Sequence, residues 1–117
     1  MFGFLFAPKI SQMDPEELKR RLRDEAGSVL LVDVREAFEQ ALSPLSDVLS
    51  RPLGAIPARL GELPKDKTLV LLCPIGTRSE KAAKILMKNG FRNVFVLNGG
   101  IGALKKLRSE QKEGKNA

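Results

Sequence analysis

Leu69-Val70-Leu71-Leu72 runs straight into Cys73-Pro74-Ile75-Gly76-Thr77-Arg78-Ser79. The first four residues are apolar with no polar face, as expected of a strand buried on both sides in a parallel sheet. Pro74-Ile75-Gly76-Thr77 is a loop by composition. From Arg78 to Asn89 the spacing of Ala82, Ala83, Leu86 and Met87 predicts a helix with one apolar stripe. Asn89-Gly90 ends it, with Gly90 suited to the left-handed position beyond a helix. The order is therefore strand, Cys73, loop, Arg78, helix. Backbone N–H groups of a tight loop entering a helix N-terminus point inward and make a nest for an anion, and the same field stabilises a thiolate. Gly76 permits the backbone angles a nest needs, Arg78 adds a fixed positive charge, and Thr77 and Ser79 offer hydroxyl donors. A lone cysteine at a strand end also has a plainer reading, a small buried hydrophobe.

Outward from this stretch the same alternation recurs. Asp14-Pro15-Glu16-Glu17 starts a helix expected to reach Arg23, with Asp14 as cap and Glu17 placed for a capping box. Val29–Asp33 and Val94–Leu97 are two further buried strands, a short helix follows Glu36, and Ala58–Leu63 forms another. Residues 43–57 contain three prolines and Gly54 and are expected to be irregular. Asn98-Gly99-Gly100 turns into a last helix over Ile101–Leu107. Strands alternating with helices predict an α/β fold with a mainly parallel sheet, whose crevice lies at the carboxyl ends of the strands. Cys73 stands at one such end.

The chain has 117 residues, 43% of them hydrophobic and 29% charged, enough for one domain with a real core. Histidine is absent and cysteine occurs once. That excludes Ser-His-Asp and Cys-His nucleophile pairs, histidine or multi-cysteine metal sites, disulfide frameworks and CxxC redox chemistry. No metal or cofactor is expected. The net charge is +6, but residues from Lys105 onward carry half of it and no phenylalanine is interleaved among them as a stacking platform. A solvated basic tail over 108–117 is the expectation, and nucleic acid is not an expected partner. No stretch approaches the ~20 apolar residues of a membrane span. Met1–Ala7 is apolar and carries three of the six phenylalanines, so 1–7 is expected to be an arm packed on the domain, not a secretion signal.

The stretch Leu63–Leu104 closely resembles a single-domain rhodanese. The family pattern is a strand ending in Cys-x-x-Gly-x-Arg-Ser, Ala-Ala and Leu on the following helix, Gly-Phe, a Val-rich strand and Leu-x-Gly-Gly. Here these are Cys73-Pro74-Ile75-Gly76-Thr77-Arg78-Ser79, Ala82-Ala83, Leu86, Gly90-Phe91, Val94-Phe95-Val96 and Leu97-Asn98-Gly99-Gly100. Upstream, Leu31-Val32-Asp33-Val34-Arg35-Glu36 is similar to the family's Leu-Ile-Asp-Val-Arg-Glu. The resemblance spans about residues 8–107 and implies a rhodanese-like three-layer fold, a mainly parallel central sheet with helices on both faces.

The resemblance further implies a sulfurtransferase. Cys73 would take a sulfane sulfur from a small anionic donor such as thiosulfate, hold it as a persulfide, and pass it to cyanide, a thiol or a protein acceptor. The loop N–H groups from Ile75 to Ser79 would cradle the donor, Arg78 would brace the loop, and Asp33 and Arg35 would support the site as a strand end and an ion pair. With one cysteine in the chain, the acceptor must come from outside. Tyrosine-phosphatase-type chemistry needs Cys-x5-Arg, whereas Cys73 and Arg78 are spaced Cys-x4-Arg.

Three departures from the family bear on activity. Pro74 and Ile75 stand where many thiosulfate-using relatives carry a basic residue, and Pro74 lacks an N–H. The family's Gly-His-Ile stretch is replaced, so segment 41–53 is expected to be rearranged. Leu104 takes the place of a frequent tryptophan. The alternative these leave open is a rhodanese-fold binding or redox-sensing module with weak catalysis. A free thiol and no secretion signal lead to the expectation of a cytoplasmic protein.

Overall fold

The structure, a computed structural model, describes residues 9–116, with side chains through residue 112. Strands β1 (Ser11–Met13), β2 (Val29–Asp33), β3 (Leu49–Ser50), β4 (Thr68–Leu72) and β5 (Val94–Leu97) form one sheet in the order β1-β5-β4-β2-β3. Every pairing is parallel. The helices are α1 (Pro15–Asp24), α2 (Ala37–Leu42), α3 (Thr77–Lys88) and α4 (Gly100–Asn116), with 3-10 turns at Leu53–Ala55 and Pro57–Glu62.

The apolar run that announced β4 feeds both sides of the sheet. Side chains alternate along a strand. Leu69, Leu71 and Cys73 join the layer holding Ala82, Ala83 and Leu86 of α3, together with Val32, Phe91 and Val96. Val70 and Leu72 join the opposite layer, with Leu18 of α1 and Ile101, Leu104 and Leu107 of α4. These are the three layers of the expected fold, and each fully buried leucine contributes about 1.5–3 kcal/mol. Helix α3 ends in a Schellman motif: Gly90 is left-handed at φ 88°. The N–H of Phe91 donates to Leu86 O (3.1 Å) and that of Gly90 to Met87 O (3.3 Å).

Several local expectations are corrected. Strands β1 and β3 were not foreseen. They are edge strands of three and two residues, and Ser11 and Gln12 are exposed, so no apolar run marks β1. Asp14 precedes α1 but makes no side-chain cap; it accepts from Asn98 Nδ2 at 2.5 Å. Glu17, expected in a capping box, pairs with Arg20 at 2.6 Å. The short helix expected over Ala58–Leu63 is a 3-10 helix over Pro57–Glu62. Helix α4 does not stop at Leu107 but continues to Asn116, so 108–116 is helical where a tail was expected. Its second half is built of helix-forming polar residues, which apolar periodicity does not register. The arm expected over 1–7 lies outside the described residues. Among the described residues no helix is long and apolar enough to cross a membrane.

Candidate active site

Cys73 follows the last residue of β4, the middle strand of five. The parity of the strand turns its side chain toward α3, and the residue is buried at 1% exposure. Chain direction then reverses at Gly76, whose φ of 86° is left-handed. This turn brings two amides onto the sulfur: the Gly76 N–H donates to Sγ at 2.9 Å and the Ser79 N–H at 3.4 Å. The N–H groups of Ile75, Thr77 and Arg78 have no acceptor among the described residues. Donors from a left-handed glycine and a helix N-terminus thus ring one sulfur, an arrangement that suits an anion.

The cysteine is also held from behind. Ile101 N–H, at the start of α4, donates to Cys73 O at 3.1 Å. The approach is so close that a Cβ on Gly100 would lie 2.2 Å from Cys73 O. Gly100 also has φ 58°. Two helix N-termini therefore meet at Cys73, α3 facing its sulfur and α4 its carbonyl. In the sequence Gly100 belongs to a turn and to the Leu97-Asn98-Gly99-Gly100 stretch of the family pattern; its role as the point of closest approach depends on a contact that no local signal carries.

The Arg78 side chain is tied to the neighbouring helix. Its guanidinium is bidentate with Glu39 of α2, Nη2 to Oε2 at 3.0 Å and a second contact from Nη1 to Oε1. Hydrogen bonding from Arg78, and next the Glu36 N–H, holds the Glu39 carboxyl down to about 2. The Arg78 guanidinium is correspondingly raised, chiefly by Glu39. Arg78 thus bolts the loop to α2, and much of its positive field is matched by Glu39. Sequence reasoning missed Glu39; it offers only an acid one turn into a short helix.

Asp33 and Arg35 sit one strand away, at the end of β2. Both are buried, with side-chain exposures of 1% and 6%, and Arg35 Nη2 meets Asp33 Oδ2 at 2.9 Å. The Arg35 backbone N–H also donates to Asp33 Oδ1 at 3.0 Å. Arg35 Nη2 donates onward to Ser43 O at 2.7 Å, which anchors the start of the segment beyond α2. The polar partners of Arg35 are thus Asp33 and the carbonyls of Glu39 and Ser43, which ties the end of β2 to the chain around α2.

The remaining loop residues divide by exposure. Pro74 and Thr77 are exposed and Ile75 is 84% exposed, so the outer lip is apolar. Ser79 is buried at 1%, and its Oγ has no hydrogen-bond partner among the described residues. It lies on the buried stripe of α3 in the turn that faces Cys73. Among the described residues no cluster of acids or cysteine could hold a metal.

The chain matches the model of the rhodanese-like domain over residues 14–107. It belongs to the rhodanese-like family. This rhodanese-like chain is 41% identical over 92 residues to a sulfurtransferase of Allochromatium vinosum, covering 79% of this chain and 85% of that protein. It is 30% identical over 107 residues to the tRNA uridine(34) hydroxylase of Pelagibacter ubique, covering 88% of this chain but 35% of that longer protein. The crystal structure of a rhodanese-like domain protein from Staphylococcus aureus matches with a TM-score of 0.70 at 30% identity, over 80% of this chain and 90% of that one.

Proposed function

We propose that this rhodanese-like domain is a sulfurtransferase. It moves a sulfane sulfur from thiosulfate or another persulfide-type donor to a thiophilic acceptor through a persulfide on Cys73. The observation that carries this reading is the sulfur of Cys73 ringed by the Gly76 and Ser79 amides, with further loop amides left unpaired. In the first step the Cys73 thiolate attacks the outer sulfur of the donor. A bond forms between the two sulfurs, the donor's own sulfur–sulfur bond breaks, and sulfite or a thiolate leaves with the electron pair. In the second step cyanide or an acceptor thiolate attacks the outer sulfur of the persulfide, and the Cys73 thiolate is released. Both steps carry negative charge across the sulfurs. Preorganised N–H donors aimed at that position stabilise it without reorganisation.

The lip of the site favours a persulfide donor over thiosulfate. Pro74 supplies no N–H, Ile75 presents an apolar side chain, and Arg78 is engaged by Glu39. A dianion gains less here than at a loop with a free cation. The acceptor comes from outside, because no second cysteine exists in the chain to displace the sulfur. A reducing compartment such as the cytoplasm would keep Cys73 ready as a free thiol.

The test is intact mass of the reduced protein before and after treatment with thiosulfate, and separately with a low-molecular-weight persulfide, alongside Cys73→Ala. Gain of one sulfur's mass, reversed by cyanide and absent in the variant, is the expected result, with the persulfide loading faster. Full transfer by Cys73→Ala would overturn the assignment. Failure of both donors to load the protein would favour the alternative of a binding or redox-sensing module.

A further inference from the structure

Phe38, Leu42 and Ile75 are the exposed large hydrophobics among the described residues, at 65%, 82% and 84% exposure. All three belong to the two elements that Glu39 and Arg78 bolt together: Phe38 and Leu42 lie one turn apart on α2, and Ile75 is in the Cys73 loop. Among the described residues, the large apolar side chains left in water thus all belong to the elements that border the Cys73 loop. A charged feature starts at the same loop. Lys81, Lys84 and Lys88 of α3 are exposed. Their spacing of three and four places them on one ridge, opposite the stripe of Ser79, Ala82, Ala83 and Leu86 that packs on the sheet. Among the described residues every ion pair is made by an arginine, and none of these three lysines has a carboxylate within 4 Å. The one acid of α3, Glu80, leaves the ridge strongly positive.

We propose that the rim and the lysine ridge together dock an acidic polypeptide that carries the cysteine exchanging sulfur with Cys73. The inference rests on the sulfurtransferase reading and names the kind of partner. A small donor or acceptor needs only the loop. The ridge alone runs about 10 Å along α3, and beyond the loop lies α2, so only a macromolecule touches both at once. The apolar rim receives leucine-like side chains beside the partner cysteine, while acidic residues farther along its chain meet the ridge. Complementary charge of this kind accelerates encounter and selects among partners more than it adds affinity, and salt screens it.

The experiment uses the full chain and a fluorescein-labelled peptide with one cysteine between two leucines, flanked by aspartates; a second peptide carries lysines in place of the aspartates. Binding to the unloaded protein is read by anisotropy, and sulfur transfer from the loaded protein by mass. The expected result is binding of the acidic peptide about tenfold tighter than the basic one at low salt, with the margin shrinking as salt rises. Charge reversal by Lys81→Glu, Lys84→Glu and Lys88→Glu together is expected to invert the preference. Phe38→Ser with Leu42→Ser is expected to weaken both peptides equally. Neither set changes loading by a low-molecular-weight persulfide or discharge to cyanide. Equal binding of the two peptides, a preference that survives charge reversal, or tighter lysine-dependent binding of a short single-stranded oligonucleotide would overturn the proposal. Failure of the protein to load sulfur would count against the sulfurtransferase reading, and the binding arm would still decide the docking surface.

Discussion

At the carboxyl end of β2, Asp33 and Arg35 close on each other inside the protein. One strand away, at the end of β4, Cys73 opens into a loop with amides to spare. Both places have an arginine held by a carboxylate. In the first, acid and base lie two residues apart, both are buried, and the arginine donates further to the Glu39 and Ser43 carbonyls. In the second, Arg78 is tied to an acid 39 residues away, both partners remain about a quarter exposed, and the nearby N–H groups are not consumed. The first arrangement satisfies its groups and fixes the chain. The second fixes the loop from outside and leaves several of its donors without an acceptor among the described residues. Unspent hydrogen-bonding capacity, more than the presence of charge, separates the proposed site from its structural neighbour.

The contrast can be broken at its strongest point with Cys73→Ser. Sulfur transfer should be lost outright, while the unfolding midpoint moves little, because a hydroxyl can accept from the Gly76 amide; residual transfer by mass spectrometry would be the failure. Next in size is Arg35→Ala. It strands the buried Asp33 carboxylate, and removing one partner of a buried pair costs about 3–5 kcal/mol. Chemical denaturation should show that loss, with the surviving folded protein still loading sulfur. Gly100→Ala follows. Its methyl would collide with Cys73 O and meet a positive φ. We expect about 1–3 kcal/mol of destabilisation from strain alone, with slower transfer as the loop shifts.

Glu39→Gln sharpens the comparison instead of breaking it. Freed of its acid, Arg78 can turn toward the loop, so the KM for thiosulfate should fall while that for a neutral persulfide changes less. The pH behaviour follows from the depressed carboxyl. Folded Glu39 titrates at about 2 against an ordinary 4.5, so its contribution to stability is complete above the higher value and is lost as pH falls toward the lower. The difference in melting temperature between wild type and Glu39→Gln should therefore shrink across that acidic window and hold steady at neutral pH. The smallest effect belongs to Ser79→Ala. An unpaired buried hydroxyl gives no net stability, so the fold should be unchanged or slightly firmer. A several-fold drop in transfer would mark that hydroxyl as a donor to the bound sulfur species, and no drop would assign it to packing.

How much of this could be read beforehand depended on the range of the interaction. The three long inner strands, α3 and its glycine stop are written in apolar periodicity and local turn chemistry, and the order strand–Cys73–loop–Arg78–helix placed the sulfur at the right edge of the sheet. Strands β1 and β3 escaped because their few residues are ordered by a neighbour, β5 or β2, and not by their own pattern. Asp14 was misread as a cap because Asn98, 84 residues on, competes for its carboxylate. Glu39 and Gly100 were illegible for the same cause: each acts through a contact that exists only once the layers have packed. The polar half of α4 was missed for the opposite reason: Arg108 is half-buried and Ser109, Glu110, Gln111 and Lys112 are exposed, so no apolar pattern marks it.

The place of β4 at the centre of the sheet carries a consequence for how the molecule comes apart. The outer strands β1 and β3 offer three and two residues of pairing, and local opening begins where few bonds and little apolar contact hold the chain. Under warming or mild denaturant the edges should exchange their amide hydrogens first, while Leu69–Leu72 keeps its protection up to global unfolding. Cys73, the proposed nucleophile, is thus mounted on the last part of the structure to loosen, and fraying at the periphery can proceed without disturbing its position.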